Sequence, residues 1–278
     1  MITFCRTGKM MLSVLLAWTC SAMYAQENGA DEVYTPRPGQ DGKDVIWLPT
    51  PQPLIETMLT VAKVSPGDFL IDLGSGDGRA VITSARRGAR GRGIEYNPDM
   101  VEYSRKLAED EGVSDMVEFV QGDLFEADLS EATVITMFLL PSINAKLAPS
   151  FLKLKPGTRI VSNSFGMGEW IPDDTAHSPK PCRTYCDALL WIVPANVEGI
   201  WLLPDGEMTL HQKYQVISGT ISSGGRTTKI FEGKLCGDQI TFKAGLREFT
   251  GRVYGNHIEG VKISNHNHVL WRGDRCSQ

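Results

Sequence analysis

Two hydrophobic periods alternate along residues 45–193. Short apolar runs of strand length are separated by stretches in which apolar residues recur at every third or fourth position. The first pattern indicates buried strands and the second indicates helices with one buried face. Their alternation predicts an α/β fold, a Rossmann-like, mostly parallel and doubly wound sheet. The predicted strands are 68–73, 91–95, 117–120, 133–138, 158–163 and 187–193, and the predicted helices are 54–64, 78–88, 98–111 and 142–152.

The pattern changes after Val197, where helical periodicity disappears and short alternating runs separated by glycines begin. Gly237-Asp238 and Gly255-Asn256 recur at a shift of eighteen residues and suit two-residue hairpin turns that start with glycine. Residues 197–278 are therefore predicted to form a small all-β domain, a meander that closes as a barrel or packs as a sandwich.

The chain is expected to divide into four parts. Residues 1–25 have the pattern of a signal peptide, and residues 26–44 are a polar arm with several prolines and glycines. Residues 45–196 carry the strand–helix alternation and residues 197–278 carry the β pattern. The two larger parts are both long enough to enclose a core of their own.

The first 25 residues favour export, with the periplasm of a bacterium as the expected destination. Arg6 and Lys9 precede an apolar run, Met10–Trp18, that is too short to span a bilayer as a helix. Small residues then offer cleavage after Ala22 or Ala25. A disordered tail and a mitochondrial presequence are the alternatives, and no transmembrane helix is expected after cleavage.

Net charge and cysteine content exclude some classes of function. The formal net charge is −5 and the isoelectric point is near 5.6, which argues against extended nucleic-acid binding because that needs a basic face. Cysteine usage permits disulfides in an exported chain. Cys236–Cys276 is the preferred pair, and Cys182–Cys186 pairs locally or stays reduced. No metal site is expected, since the chain has no C-x2-C pair and its histidines lie far from the cysteines.

The glycine-rich segment D-L-G-S-G-D-G is the strongest candidate for a binding site. It follows an apolar strand, and glycines at alternate positions let a ligand approach the backbone closely. Asp72 and Asp77 would repel a phosphate, so the loop suits a ligand with a cationic or neutral polar end. S-adenosyl-L-methionine (SAM), with its ammonium and sulfonium, fits this description. The candidate cofactor-binding residues here are Asp72, Gly74, Ser75, Gly76 and Gly78.

Two further acids stand at the ends of the next strands. Glu95 closes the second strand, 23 residues after Asp72, where a carboxylate can accept both ribose hydroxyls. Asp123, followed by Leu124, comes just after the third strand, where an acid can bond the adenine amino group. Three acids in register with the glycine loop predict a complete SAM site.

Five segments together carry a family resemblance over about residues 45–193. W-L-P-T-P, D-L-G-S-G-D-G-R, G-I-E-Y-N, F-L-L-P-S-I-N and L-K-P-G-T-R-I-V-S-N-S-F make the chain similar to the class I SAM-dependent methyltransferases. Within that superfamily it resembles the ATP-synthase c-subunit lysine methyltransferases and, distantly, the Dot1-type group. The Asn/Asp-Pro-Pro-aromatic motif typical of adenine, cytosine and glutamine methylation is absent after the fourth strand.

This resemblance implies methyl transfer from SAM to an amine, with a protein lysine as the expected acceptor. It also implies that Thr50 approaches the methionine end of SAM and that Leu140, Pro141 and Asn144 border the acceptor channel. Asn163, with Ser162 and Ser164, would supply polar contacts in that channel. Two other interpretations stay open. One is methylation of a small molecule, and the other is a non-catalytic exported protein that binds SAM or a nucleoside and uses its β domain for interactions.

Overall fold

The computed structural model describes residues 1, 34–179, 181–264 and 267–276. The predicted signal peptide, residues 1–25, therefore lies outside the described residues except for Met1, as does the first part of the predicted arm. Residues from Tyr34 onward belong to one compact unit. The seven-stranded sheet of this unit ends at Ile192, and its barrel begins at Gly199.

Helices and strands alternate through the first part of this unit, as the hydrophobic periods predict. Within the described residues, no helix is long and apolar enough to cross a bilayer. The helices begin close to the predicted positions. They are α1 (Gln52–Val61), α2 (Arg79–Arg86), α3 (Pro98–Asp110) and α4 (Pro141–Phe151). The strands are β1 (Phe69–Leu73), β2 (Arg90–Glu95), β3 (Val117–Gln121), β4 (Val134–Met137), β5 (Arg159–Asn163), β6 (Asp174–His177) and β7 (Asp187–Ile192).

The seven strands form one twisted layer in the order β3-β2-β1-β4-β5-β7-β6. Strands β1 to β5 are parallel, and β7 runs antiparallel to β5 with Val161 opposite Leu190. The strand order reverses between β1 and β4, which opens a crevice at the carboxyl ends of these two strands. This confirms the predicted Rossmann-like fold class and places the expected ligand site at that edge.

The short strand β6 was not among the predicted strands. Its sequence, D-T-A-H, is polar and largely exposed, so it carries no hydrophobic alternation. It forms because its backbone pairs with β7, Asp174 lying opposite Leu190 and His177 opposite Asp187. His177 consequently sits on an exposed edge strand, where its Nδ1 lies 2.7 Å from a carboxylate oxygen of Asp187.

The second part of the unit is a closed antiparallel barrel, which confirms the predicted small β domain. Gly237 and Gly255, with φ of +60° and +63°, begin the two predicted two-residue turns. The eight strands are β8 (Gly199–Leu203), β9 (Gly206–Lys213), β10 (Val216–Ser223), β11 (Arg226–Cys236), β12 (Gln239–Ala244), β13 (Arg247–Tyr254), β14 (His257–Ser264) and β15 (Asn267–Arg275). Pairing of β15 with β8 closes the ring, so the barrel has its own core.

The barrel is held against the segment that connects β5 to β6. The ring of Trp170, almost fully buried, stacks on that of Tyr214 with centroids 5.6 Å apart and planes 3° apart. Gln215 donates its side-chain N–H to the carbonyl of Ile171 at 2.7 Å, and Lys234 pairs with Asp173 at 3.3 Å. The barrel thus supports the second half of a segment whose first residues lie at the carboxyl edge of the sheet.

The preferred disulfide Cys236–Cys276 is wrong. Cys182 and Cys186 are joined instead, while Cys236 and Cys276 are free cysteines among the described residues. Cys236 ends β11 with its side chain exposed, and Cys276 follows β15, so membership of the same barrel does not bring the two thiols together. The local pair closes the loop that leads into β7.

Replacing Trp170 by Ala should lower the free energy of unfolding by roughly 3–5 kcal/mol, because a large buried ring leaves a cavity at the junction of sheet and barrel. Leu246→Ala, at a position 91% exposed on a barrel turn, is the control and should change stability by less than about 0.5 kcal/mol. Denaturant titration measures both. Equal effects would contradict the role of Trp170 in joining the two layers.

Candidate active site

A cleft opens at the carboxyl ends of β1, β2 and β4, where the strand order reverses. The predicted cofactor residues Thr50, Asp72, Gly74, Ser75, Glu95, Asp123 and Leu124 all line it. Gly76 and Gly78 lie in the same loop. The structure therefore brings together side chains from three strand ends, one glycine loop and the segment before α1. Their assignment to parts of a cofactor remains a prediction.

The glycine loop is fixed to the neighbouring strand by its own amides. Gly74 and Ser75 both donate their backbone N–H to the carbonyl of Ile94, at 2.9 and 3.0 Å. Gly76 has a φ of +54°, and an added Cβ there would overlap the indole nitrogen of Trp47. Only glycine combines this left-handed backbone with such a close approach. The loop is thus preformed beneath the cleft.

Asp72 is a carboxyl group held in an apolar strand end. It is only 8% exposed, and it accepts a hydrogen bond of 2.6 Å from the hydroxyl of Thr136. Burial raises the pKa of Asp72 from its ordinary value of 3.8 to about 7, with the nearby carboxylates of Asp77 and Glu95 adding to the rise. A cation placed in the cleft would reverse this shift, so the site favours a positively charged ligand group.

The second acid of the glycine loop, Asp77, is already paired. The guanidinium of Arg79 donates to both of its carboxylate oxygens, with the shortest distance 2.5 Å. The same guanidinium reaches the backbone carbonyl of Thr50 at 3.2 Å. This ion pair offsets part of the Asp77 charge that was expected to repel a phosphate. Arg79 also ties the Pro-Thr-Pro segment to the loop, a role that no sequence pattern indicated.

Glu95 is oriented by two backbone amides. One carboxylate oxygen accepts from Gly76 N–H and the other from Asn97 N–H, both at 2.9 Å. The side chain of Asn97 in turn caps the start of α3 by accepting from the amide of Asp99 at 2.9 Å. The carboxylate is therefore fixed at the edge of the cleft, in a position suited to bonding a pair of hydroxyls.

Asp123 is ion-paired within the described structure. Its side chain lies 2.5 Å from Nζ of Lys43 and also accepts from the amide of Phe125 at 2.9 Å. The hydrogen bond from Lys43 holds the pKa of Asp123 below its usual range. The Lys43 ammonium also lies 4.9 Å from the ring centroid of Tyr96. Lys43, which sequence patterns did not single out, thus closes the Asp123 end of the cleft.

An N-terminal strap, residues 39–50, crosses the cleft. Its first part is closed into a loop, because Gly39 donates its amide to the carbonyl of Trp47 at 2.8 Å and Trp47 donates to the carbonyl of Gln40 at 2.9 Å. Trp47 then rests on Gly76. The strap was predicted partly as a polar arm, since it is rich in proline and glycine and shows no hydrophobic period.

The residues predicted to lie at the acceptor channel differ in their exposure to solvent. Leu140 and Pro141 begin α4 in exposed positions, next to Phe138 and Leu139, which line the cleft. Asn163 is buried, and its amide nitrogen donates to the hydroxyl of Thr50 at 3.2 Å. Asn144 is buried beneath the loop after β5, so its contact with an acceptor stays a prediction.

The residues of the cleft fit SAM. A buried carboxyl group that a cation would ionise, a fixed carboxylate for hydroxyls and a glycine loop without an unpaired lysine or arginine match its ammonium and ribose better than a phosphate. Within the described residues, no group of three or more His, Cys, Asp or Glu is placed to hold a metal ion. Fold and cleft together define a class I SAM-dependent methyltransferase.

Comparisons with known proteins narrow the class. The ANTKMT methyltransferase domain family matches residues 72–174. A protein-lysine N-methyltransferase of Saccharolobus islandicus is 43% identical over 133 residues, which are 47% of this chain and 83% of that protein. The human ATP synthase c-subunit lysine N-methyltransferase is 32% identical over 128 residues, 46% of this chain and 54% of that protein.

A solved structure agrees on the fold and on the cofactor. The crystal structure of a Salinibacter ruber protein described as an RNA methyltransferase contains S-adenosyl-L-homocysteine. It is 52% identical, has a TM-score of 0.50 and covers 54% of this chain and 96% of its own. The chain belongs to the family of SAM-dependent protein-lysine methyltransferases, which confirms the resemblance drawn from its motifs, and SAM is its cofactor.

Asp72→Asn should stabilise the ligand-free protein at pH 8 by roughly 1–4 kcal/mol, because the neutral amide avoids burying a charge. The raised pKa means that wild-type stability falls as pH rises from about 4 to about 7, where the carboxyl group ionises. In the variant this loss should be absent. Denaturant titrations at pH 5 and pH 8 measure the difference, and identical pH profiles would contradict the burial of an ionising Asp72.

Gly76→Ala should weaken SAM binding more than about tenfold, because the new methyl group displaces Trp47 from the loop. Gly224→Ala is a matched control. Gly224 has nearly the same backbone, with a φ of +56° against +54°, but an added Cβ meets no atom within 4 Å. Both variants carry the left-handed backbone cost of about 1 kcal/mol. Calorimetric titration should show loss of affinity only for Gly76→Ala; equal affinities would refute the contact.

Proposed function

We propose that this chain transfers the methyl group of SAM to the ε-amine of a lysine in an exported protein. The proposal rests chiefly on the 43% identity to the archaeal protein-lysine N-methyltransferase, whose length the match covers to 83%. The mammalian ATP synthase c-subunit lysine N-methyltransferases agree in acceptor type. This chain spans only about half of their length, so their particular protein substrate is not carried over.

The roles of the cleft residues follow from their positions. Asp72 would face the ammonium end of SAM, Glu95 the ribose hydroxyls, and Asp123 with Leu124 the adenine. Thr50 is held by Asn163 and, through its carbonyl, by Arg79. In this assignment the reacting end of the cofactor would lie toward Phe138 and Leu139, beside the exposed start of α4.

The reaction requires mainly that the amine and the methyl group of SAM are aligned. When bound, SAM supplies an electrophilic methyl group on a sulfonium, which a neutral amine attacks in line. The chain's own residues position the two partners, and such positioning supplies most of the rate of a displacement. Apolar residues such as Phe138 and Leu139, which line the cleft, would surround the amine and favour its neutral form. His177 is not assigned a role as a base, since it lies on the exposed edge strand and is not among the residues that line the cleft.

RNA is the second candidate acceptor, favoured by the description of the Salinibacter ruber protein. The formal net charge of −5 weighs against it, because binding of a nucleic-acid backbone depends on clustered basic residues. A small-molecule acceptor is a third. The lysine proposal is preferred because the protein-lysine methyltransferases agree with one another across archaeal and animal relatives.

Export is part of the proposal. Its supports are the signal-peptide pattern of residues 1–25 and the Cys182–Cys186 disulfide, since disulfides persist mainly in oxidising compartments such as the periplasm. In this scheme residues 45–196 form the catalytic domain, and residues 197–278 form a barrel that steadies the segment between β5 and β6.

Incubation with methyl-labelled SAM tests the acceptor. The chain is given separate envelope-protein and RNA fractions from the producing organism, and mass spectrometry locates the label. Methyl-lysine should appear in protein, and Asp72→Asn should reduce it more than about tenfold, on the scale of a lost charge-assisted interaction. Asp205→Asn, a change in the barrel, is the control and should leave labelling intact. Label found in RNA, or in protein at residues other than lysine, would overturn the proposal.

A further inference from the structure

Three aromatic rings meet at the carboxyl edge of the sheet. The ring centroids of Phe138 and Phe165 are 6.0 Å apart, those of Phe138 and Tyr185 are 5.2 Å apart, and those of Phe165 and Tyr185 are 5.5 Å apart. We call these three residues the aromatic wall. Tyr185 is 38% exposed, so the wall has a face toward solvent. Phe138 also lines the cofactor cleft, so the wall continues directly from it.

The wall is built from three separate chain segments. Phe138 follows β4, Phe165 follows β5, and Tyr185 precedes β7. Because β7 runs antiparallel to β5, its beginning lies at the same edge as the ends of β4 and β5. The acids assigned to the cofactor come from the ends of β1 and β2 and from the loop after β3. The β4–β5–β7 half of the edge is therefore left for the second reactant.

Buried hydrogen bonds fix the loop that carries Phe165. The amide nitrogen of Asn144 donates to the carbonyls of Phe165 and Gly166, both at 3.2 Å. Ser164, with a φ of +57°, donates its amide to the carbonyl of Asp187 at 2.7 Å. Asn144 was predicted to border the acceptor channel, and this geometry gives it a positioning role through Phe165.

The third ring is held by the disulfide. Tyr185 lies between Cys182 and Cys186, directly before the second cysteine. Its φ of +57° is unfavourable for a bulky side chain, so the surrounding structure must hold the ring in place. Cys186 also accepts, through its carbonyl, a hydrogen bond of 2.8 Å from the amide of Ser178. The short covalent loop thus restrains Tyr185 against Phe138 and Phe165.

We propose that the aromatic wall receives the aliphatic stem and amine of the acceptor lysine, and that the Cys182–Cys186 disulfide positions Tyr185 for this binding. The inference rests on the proposed lysine acceptor and extends it to a named binding surface. Aromatic faces attract an incoming ammonium, and their low polarity favours its neutral form near the cleft. Reduction by a dithiol would break the S–S bond, give two thiols and release the oxidised dithiol, and it would free the Tyr185 loop.

A bisubstrate ligand tests the wall even while the natural substrate is unidentified. The probe is a SAM analogue in which a nitrogen replaces the sulfonium and carries, through a short alkyl linker, an amine that bears a butyl chain, so that amine and butyl chain imitate the lysine side chain. S-adenosyl-L-homocysteine, which lacks this chain, is titrated in parallel. The wild-type protein should bind the bisubstrate at least about tenfold more tightly, since only this ligand reaches the wall.

Tyr185→Ala and Phe165→Ala should each remove most of this added affinity and leave that for S-adenosyl-L-homocysteine within about twofold. Tyr254→Ala, at an exposed tyrosine of the barrel, is the matched control and should retain it. Treatment of the wild type with dithiothreitol should lower the added affinity about threefold to tenfold. The double variant C182S/C186S should match the reduced wild type and no longer respond to dithiothreitol.

The outcomes separate the two proposals. Added affinity that survives both Tyr185→Ala and Phe165→Ala would overturn the location of the wall, as would a bisubstrate that binds the wild type no better than S-adenosyl-L-homocysteine. Affinity that is indifferent to reduction and to C182S/C186S would overturn the role of the disulfide. Methyl label on RNA in the acceptor assay would contradict the lysine proposal itself, whatever these titrations show.

Discussion

A buried carboxyl group at the end of β1 is the constraint around which the cleft is arranged. Asp72 stands where the strand order reverses, almost without solvent, and its only compensation in the described structure is the hydroxyl of Thr136. Such burial is unfavourable for the ionised form, and a bound cation relieves it. The neighbouring carboxylates also have partners, since Arg79 pairs with Asp77 and the amides of Gly76 and Asn97 donate to Glu95.

The carboxyl edge of the sheet is divided between two reactants. The acids of β1, β2 and the loop after β3 occupy one half, and the aromatic wall occupies the other. The N-terminal strap covers the first half, with Trp47 on Gly76. The barrel supports the second half, because Tyr214 and Gln215 hold the segment that continues from Phe165 to β6. The strap, which precedes the sheet in sequence, and the barrel, which follows it, therefore both help to fix the carboxyl edge of the sheet.

The sequence was most informative about residues whose positions depend only on the backbone of a short segment. The glycines around Ser75 and the acids Asp72 and Glu95 are placed by short-range backbone requirements, so they were predictable. Closure of the barrel was not, because pairing of β15 with β8 joins residues far apart in sequence. The disulfide prediction failed for a different reason, because pairing depends on side-chain directions and the pair that forms is only four residues apart. Lys43 was missed because a polar strap carries no hydrophobic period.

Proton release on cofactor binding tests the central claim most directly. Calorimetric titration of SAM at pH 7 in two buffers of different ionisation enthalpy gives the number of protons released. With the pKa of Asp72 raised to about 7, part of the carboxyl groups are protonated before binding, so SAM binding should release a measurable fraction of a proton. Asp72→Asn should release none at that site. Tight binding by the wild type with no proton release would contradict the account.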